Sequence, residues 1–357
     1  MICRYVQWKN FRNLKPRRLE WAKGLHLLIG ENAAGKTNSL EALHILTGWG
    51  PFGNTRVNNL SAWDGPGGSF LGARFEGEET LDIGVGISGK TRLRLDGRAC
   101  RATDIRMRVP SLTFLPEDMS LIEGSPSVRR RFLDKMCALL FPLYATRLHE
   151  YRRAVRQKTA AVRSGRGASV ASRAMAPLAS WIWNSRAAAV DLVKLGMEAC
   201  RVLLPSEVEI HHHRGGSSGI EDGLEDFWKG LQHHRERENR LGLCLVGPHR
   251  DDLIISSRGR PASETLSRGH RRRAAVALLI AAGWAVERKT RRKPLLLLDE
   301  VMAELDMEGR EKMIEALVER EWQTFVTTAE DCTPLWPGSV WRVKDGIVMP
   351  DGERKDT

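Results

Sequence analysis

Gly30-Glu31-Asn32-Ala33-Ala34-Gly35-Lys36-Thr37 fits the pattern GxxxxGK[ST] and lies between the apolar run Leu25 to Ile29 and the helix-like segment Asn38 to Leu43. A strand that runs into such a loop and then into a helix turns successive backbone N–H groups and a helix N-terminus toward one point, which suits phosphate oxygens. In that arrangement Lys36 reaches the β and γ oxygens and the Thr37 hydroxyl holds Mg²⁺. Far downstream, the apolar run Pro294 to Leu298 ends in Asp299-Glu300. A buried strand of this kind delivers Asp299 to the metal and Glu300 to an attacking water. An Asp-Glu pair after an apolar strand is otherwise an ordinary strand terminus, so its reading borrows strength from the phosphate loop.

Between these segments, Thr265-Leu266-Ser267-Arg268-Gly269-His270-Arg271 opens a long apolar and basic helix through Arg288. A serine at a helix N-terminus beside a glycine makes a second anion site, and equally makes a plain helix cap. With Glu304-Leu305-Asp306 after the carboxylates, the chain resembles ATP-binding-cassette (ABC) proteins. In those, the serine half-site of one protomer closes on the γ-phosphate held by the other. An ordered set narrows the resemblance: Asn10-Phe11-Arg12-Asn13, Gly35 to Asn38 with Leu40-Glu41-Ala42, Phe114-Leu115-Pro116-Glu117-Asp118, Arg130-Arg131-Phe132-Leu133-Asp134, Gly247-Pro248-His249-Arg250-Asp251-Asp252 and Leu296 to Glu300. It is similar to the RecF family of bacterial recombination proteins, heads of the SMC type.

The resemblance implies an α/β, ABC-type P-loop ATPase head with an antiparallel β-subdomain and an inserted helical arm, without a long coiled coil. It implies ATP and Mg²⁺ as cofactors, with Gly30, Glu31, Asn32, Ala33, Ala34, Gly35, Lys36, Thr37, Asn38, Arg12 and Asn13 at the nucleotide, Thr37 and Asp299 at the metal and Glu300 catalytic. Ser267, Gly269 and the D-loop Asp306 are implied to act across an ATP-dependent homodimer. DNA, RecR and RecO, and indirectly RecA, are the implied partners, in recombinational repair and the SOS response. Two positions depart from the family's pattern: Arg268 stands where a small or amide residue is preferred, and Ala33 replaces the usual loop glycine.

The elements that must position these residues follow from pattern. Residues 1–117 read as the N-terminal part of the head, with Ser69 to Glu76, Leu81 to Ile87 and Thr91 to Leu95 as an antiparallel meander. Residues 118–242 read as a helical arm, with helices over Val128 to Leu140, Leu143 to Arg163, Ala174 to Leu204 and Glu221 to Arg240. Residues 243–357 return to alternating helix and strand and complete a discontinuous head. His249 to Asp252, four polar residues after Gly247-Pro248, read as a surface functional loop rather than core. His211-His212-His213 read as exposed polar residues in preference to a metal site.

Charge points the same way: 56 Lys+Arg against 44 Asp+Glu leave a net +12, which calls for an anionic partner. Arg129 to Arg131, Arg152, Arg153, Arg156, Lys158, Arg163 and Arg166 load the arm with cation and have few acids at helical spacing, so Arg130, Arg152, Arg153 and Arg156 are expected to contact DNA phosphates. The six cysteines contain no CxxC pair, the N-terminus lacks a signal-peptide core, and the apolar stretch Ala274 to Val286 is short of the ~18 residues needed to span a bilayer. A cytoplasmic protein with reduced thiols and no membrane contact is expected. The rival readings are the nucleotide-binding subunit of an ABC transporter, against which the long cationic arm argues, and an ATP-gated nuclease of the overcoming-lysogenisation type, for which no DxD cluster follows residue 306.

Overall fold

A computed structural model describes residues 1–53, 55, 57–61, 67–165, 168–204 and 207–352. The chain divides into two compact units, one of Met1–Met119, Cys200–Pro205 and Arg268–Thr357, the other of Ser120–Ala199 and Ser206–Ser267.

The first unit carries two six-stranded sheets. Strands β1 (Ile2–Lys9), β2 (Arg17–Glu20), β4 (Ser69–Glu76), β5 (Thr80–Ser88), β6 (Lys90–Leu95) and β7 (Arg98–Ala99) form an antiparallel sheet in the order β2-β1-β4-β5-β6-β7. Its strands alternate as a half-buried sheet must: Leu71, Ala73 and Phe75 of β4 and Leu81, Ile83, Val85 and Ile87 of β5 are buried, and the residues between them face outward. The second sheet comprises β3 (Leu25–Ile29), β8 (Ser111–Phe114), β12 (Leu295–Leu298), β13 (Thr324–Thr328), β14 (Ser339–Lys344) and β15 (Ile347–Pro350), in the order β15-β14-β3-β13-β12-β8. All its pairings are parallel except that of β15 with β14. Strands β3, β12 and β13 are buried along their whole length, and β12 accordingly reads as an unbroken apolar run.

Helices α1 (Lys36–Leu46), α2 (Ala102–Arg108), α8 (Arg268–Thr290) and α9 (Met307–Arg320) complete this unit. One apolar cluster joins Trp8, Leu71 and Phe75 of the antiparallel sheet, Leu40 and Leu43 of α1, and Leu28, Leu297 and Phe325 of the parallel sheet. Burying those side chains together anchors the start of α1 against the ends of β3, β12 and β13.

The second unit contains α3 (Pro126–Leu140), α4 (Tyr144–Arg163), α5 (Ser169–Glu198), α6 (Gly223–Leu241) and the short α7 (Ala262–Thr265), with a small antiparallel sheet of β9 (Val208–His213), β10 (Asp252–Ser257) and β11 (Arg260–Pro261). Two expectations change here. Strand β9 falls in the gap between the expected helices that end at Leu204 and begin at Glu221, where no strand was read; its signal was the period-two alternation of Val208 and Ile210. Because β10 pairs with β9 along its length, this unit extends to Ser267 rather than stopping at 242.

The Gly247 to Asp252 run, expected to be a surface functional loop, instead organises the core of this unit. Asp251 is fully buried and accepts hydrogen bonds from Arg186 Nη1 at 2.6 Å, Trp183 Nε1 at 2.8 Å and the Gly215 amide at 2.8 Å, with His212 Nε2 at 2.7 Å. Burial alone would raise its carboxyl pKa, but the bond from His212 and the Arg186 charge outweigh that and hold it well below the usual carboxylate range. Polar residues here are core because a buried charge is tolerated when every lone pair has a donor. Gly247, at φ 126°, is the residue this turn requires: a side chain there would strike the Tyr151 hydroxyl. His212, read as exposed, is drawn inward by the same carboxylate. Lys158, counted among the arm's cations, is buried against Glu238 at 2.7 Å, and Arg129 is forked onto Asp252.

Candidate nucleotide site

Strand β3 ends at Gly30, and the loop turns into α1 through Gly35, which adopts φ 116° at the helix N-cap. Ala33 adopts φ 64°, a left-handed conformation that glycine takes without cost and that alanine takes at about 1 kcal/mol or more. That conformation is pinned: Asn13 Nδ2 donates to the Ala33 carbonyl at 2.9 Å, Asn38 Nδ2 donates to Asn13 Oδ1 at 2.8 Å, and the Gly346 amide donates to the Ala34 carbonyl at 2.9 Å. Asn13, itself held by Asn38, and Gly346 thus tie the loop through two successive carbonyls. An open cleft beside it is lined by Lys9, Asn10, Lys15, Glu31, Lys344 and Met349 among others.

Arg12, expected at the nucleotide, lines that cleft and is anchored there by an ion pair. Its guanidinium forks onto the buried Glu41 carboxylate, with Nε to Oε2 at 2.8 Å and Nη2 to Oε1 at 2.9 Å. Glu41 Oε1 also accepts from the Phe52 amide at 2.8 Å. The pair braces α1 behind the loop.

The ends of β3, β13 and β12 bring the chemistry together. Lys36, nearly buried, donates from Nζ to the carbonyls of Gly30 at 2.9 Å and Glu31 at 3.0 Å, and lies 3.1 Å from Glu300 Oε1. The Thr37 hydroxyl donates to the Asp299 carboxylate, 2.9 Å from Oδ1 and 3.0 Å from Oδ2, across 262 residues of sequence. Strand β13 lies between β3 and β12. Its penultimate residue, Thr327, therefore ties both acidic residues: its hydroxyl donates to Asp299 Oδ1 at 2.6 Å, and its hydroxyl and carbonyl oxygens each lie 3.1 Å from the Glu300 backbone amide that donates to them. Glu300 itself sits at φ 52°, a strained backbone held by those bonds and by the Ala329 amide donating to its Oε2 at 3.1 Å. Burial raises the Asp299 pKa; the Thr327 and Thr37 hydroxyls oppose that, and neighbouring Glu300 adds to it.

This donor set fits a nucleotide with a divalent cation. Thr37 Oγ1 and the Asp299 oxygens are hard donors on one spot, Lys36 supplies a buried ammonium, and the loop amides and the α1 N-terminus face the same side.

Ser267 immediately precedes α8, and Gly269 lies in the first turn of that helix. A Cβ on Gly269 would come 3.9 Å from Asp306 Oδ2, so the D-loop carboxylate runs close beside the start of α8. Asp306 caps α9, accepting from the Gly309 amide at 2.9 Å. Two arginines hold that loop: Arg272 pairs with Glu304, and Arg310, which the sequence reading missed, donates from Nε to the Met302 carbonyl at 2.8 Å and the Leu305 carbonyl at 3.1 Å. Neither carries a local signal, since a basic residue on a helix is ordinarily a solvated one.

The expected DNA residues separate. Arg130 donates to the Asp251 carbonyl at 2.7 Å and Arg152 to Asp134 at 2.8 Å. Arg153 and Arg156 are exposed and, among the described residues, have no ion-pair partner; Arg166 lies outside the described residues.

A family model described as the RecF/RecN/SMC N terminal domain matches residues 73–334. The DNA replication and repair protein RecF of Deinococcus deserti is 35% identical over 362 residues, covering 96% of this chain and 94% of that protein. The DNA replication and repair protein RecF of Desulforudis audaxviator is 30% identical over 348 residues, covering 90% of this chain and 92% of its own. Among solved structures, that of the recombination mediator protein RecF-ATPrS in the RecFOR pathway superposes with a TM-score of 0.87 at 25% identity, covering 98% of both chains.

Proposed function

The chain belongs to the RecF family, and from that premise we propose that it is an ATP-dependent DNA-binding protein of recombinational repair, in which ATP closes a head-to-head homodimer on duplex or gapped DNA and slow, DNA-dependent hydrolysis reopens it. The observation that carries the reading is the meeting of the Thr37 hydroxyl with the Asp299 carboxylate beside the Lys36–Glu300 pair. Bound MgATP supplies the phosphoanhydride to be cleaved and a divalent charge to balance its oxygens. The chain's own part is to hold and orient. Lys36 offers its ammonium to phosphate, Thr37 and Asp299 offer oxygens to Mg²⁺, and a Glu300 carboxylate oxygen orients a water and accepts its proton. Ser267, Gly269 and Asp306 complete the partner protomer's site. RecR and RecO, acting to load RecA, are the partners that family membership favours; the names of the relatives, with the +12 charge, support DNA as the anionic one.

Glu300→Gln tests the catalytic role: hydrolysis falls by roughly 10²–10⁴-fold while ATP-dependent dimerisation, read by light scattering, persists or increases. Unchanged hydrolysis removes Glu300 from the mechanism. For the arm, reversing Arg153 and Arg156 to Glu lowers DNA affinity at every sequence and flattens the slope of log K against log salt by about one unit per lost phosphate contact. An unchanged slope in a folded variant eliminates this contact.

A further inference from the structure

The outer face of the antiparallel sheet has an unusual surface. Cross-strand pairing sets Lys9, Phe70, Gly86 and Arg92 in one row and Arg18, Gln7, Gly72, Gly84 and Arg94 in the next. The inward residues of the same strands are core; these point to solvent. Three of the central outward positions are glycine: Gly72 lies buried beneath Gln7 and Phe70, while Gly84 and Gly86 are half-buried, and the backbone at Gly86 is open. Phe70, 43% exposed, leans across the first two: a Cβ on Gly72 would come 3.1 Å from Phe70 Cε1 and a Cβ on Gly84 3.8 Å from Cε2. A Cβ on Gly86 would meet nothing within 4 Å. A large, partly exposed apolar ring thus lies over the backbone of two glycines, with Gln7 sharing Gly72 and open surface at Gly86.

The rim is cationic. Lys9, Lys90, Arg92 and Arg94 are exposed and, among the described residues, none has an ion-pair partner. Arg18 covers the Tyr5 ring with its guanidinium carbon 3.9 Å from the centroid and lies 3.7 Å from Glu20. On the same face Asp82 is forked by Arg74 at 2.8 and 2.9 Å, so its charge is already paired. Glycine inside a strand weakens the strand and marks places where another molecule approaches the backbone. An aromatic ring on such a floor, ringed by unpaired cations, matches the chemistry of an unpaired base stacked on the ring with its phosphates on the rim. Duplex DNA offers the phosphates without a free base face.

We propose that the outer face of this sheet, centred on Phe70 over Gly72 and Gly84 and rimmed by Lys9, Arg92 and Arg94, is a binding platform for single-stranded DNA. The inference rests on the DNA-binding reading above and names a site apart from the cationic arm. The test uses the full chain with MgATP, a dye-labelled 20-residue oligodeoxythymidylate and a blunt duplex of the same length. Phe70→Ala weakens the oligothymidylate roughly 5- to 100-fold and leaves the duplex unchanged, whereas Phe70→Trp restores binding. Gly86→Val, which meets no neighbour and suits a strand, folds normally yet weakens the single strand by covering the floor. Arg92→Gln with Arg94→Gln flattens the salt dependence for the single strand. Wild-type protein that binds neither DNA form fails the DNA reading itself and takes the platform with it. Wild-type protein that binds while Phe70→Ala and Gly86→Val bind equally well overturns the platform alone, as does equal weakening of duplex and single strand.

Discussion

Two aspartates, one in each unit, are almost completely buried and have opposite fates. Asp251 accepts from a guanidinium, an indole, a backbone amide and an imidazole, and its pKa is held far down. Asp299 accepts from two hydroxyls, has Glu300 beside it, and its pKa is pushed up. Burial penalises both carboxylates; what differs is the charge of the donors. A carboxylate whose cation is built into the chain is a structural tie. One whose donors are neutral hydroxyls is set for a cation that comes from elsewhere, the pattern expected of a functional site. The same contrast explains why two equally polar motifs, Gly247 to Asp252 and Asp299-Glu300, look alike in one dimension and serve different ends.

Exchanging each carboxylate for an amide breaks this comparison most severely. Asp251→Asn leaves Arg186 buried without its anion and costs about 3–5 kcal/mol, a fall in melting temperature of order 10 °C. Asp299→Asn relieves a buried charge, so the protein melts no lower while Mg²⁺-dependent hydrolysis is lost. Thermal melts and ATPase assays on both variants decide it. A stable Asp251→Asn beside an unstable Asp299→Asn would reverse the two assignments.

Acid probes both units at once. His26 in the first and His249 in the second are held neutral by burial, with pKa values lowered from 6.5 to about 4. As pH falls the unfolded chain takes up these protons first. Stability is therefore full above pH 6.5 and declines toward pH 4, by roughly 3 kcal/mol for each imidazole. Melting temperatures between pH 7.5 and 4.5 follow that decline, and His26→Gln or His249→Gln makes the curve shallower. A flat profile in the wild type contradicts the burial of both rings. The smallest effect is at the loop: Ala33→Gly removes a left-handed alanine and raises stability by about 0.5–1 kcal/mol, after allowing for the freer unfolded chain. A lower melting temperature shows that the loop is not strained at this position.

Much of the fold was legible because its signals are local. The phosphate loop declares itself by a run of eight neighbouring residues, β3 and β12 by continuous burial, and the meander by alternation in β4, β5 and β6. The helices of the second unit were readable from three-and-four spacing, whereas β9 was hidden by its shortness and by polar histidines at its end.

What no local pattern carries is which distant polar groups meet. The residue types Lys36, Thr37, Asp299 and Glu300 and their places at strand ends were written in the sequence. Their separations were not, because they depend on β13 entering between β3 and β12, which makes Thr327 the residue that touches the Asp299 carboxylate and the Glu300 backbone amide. Likewise Arg12, Arg130 and Lys158 have the same charge in one dimension as Arg153 and Arg156, and packing alone gave the first three partners from far along the chain. Burial is a property of the folded whole: it turns an aspartate into a tie or a ligand according to what the other segments bring to it.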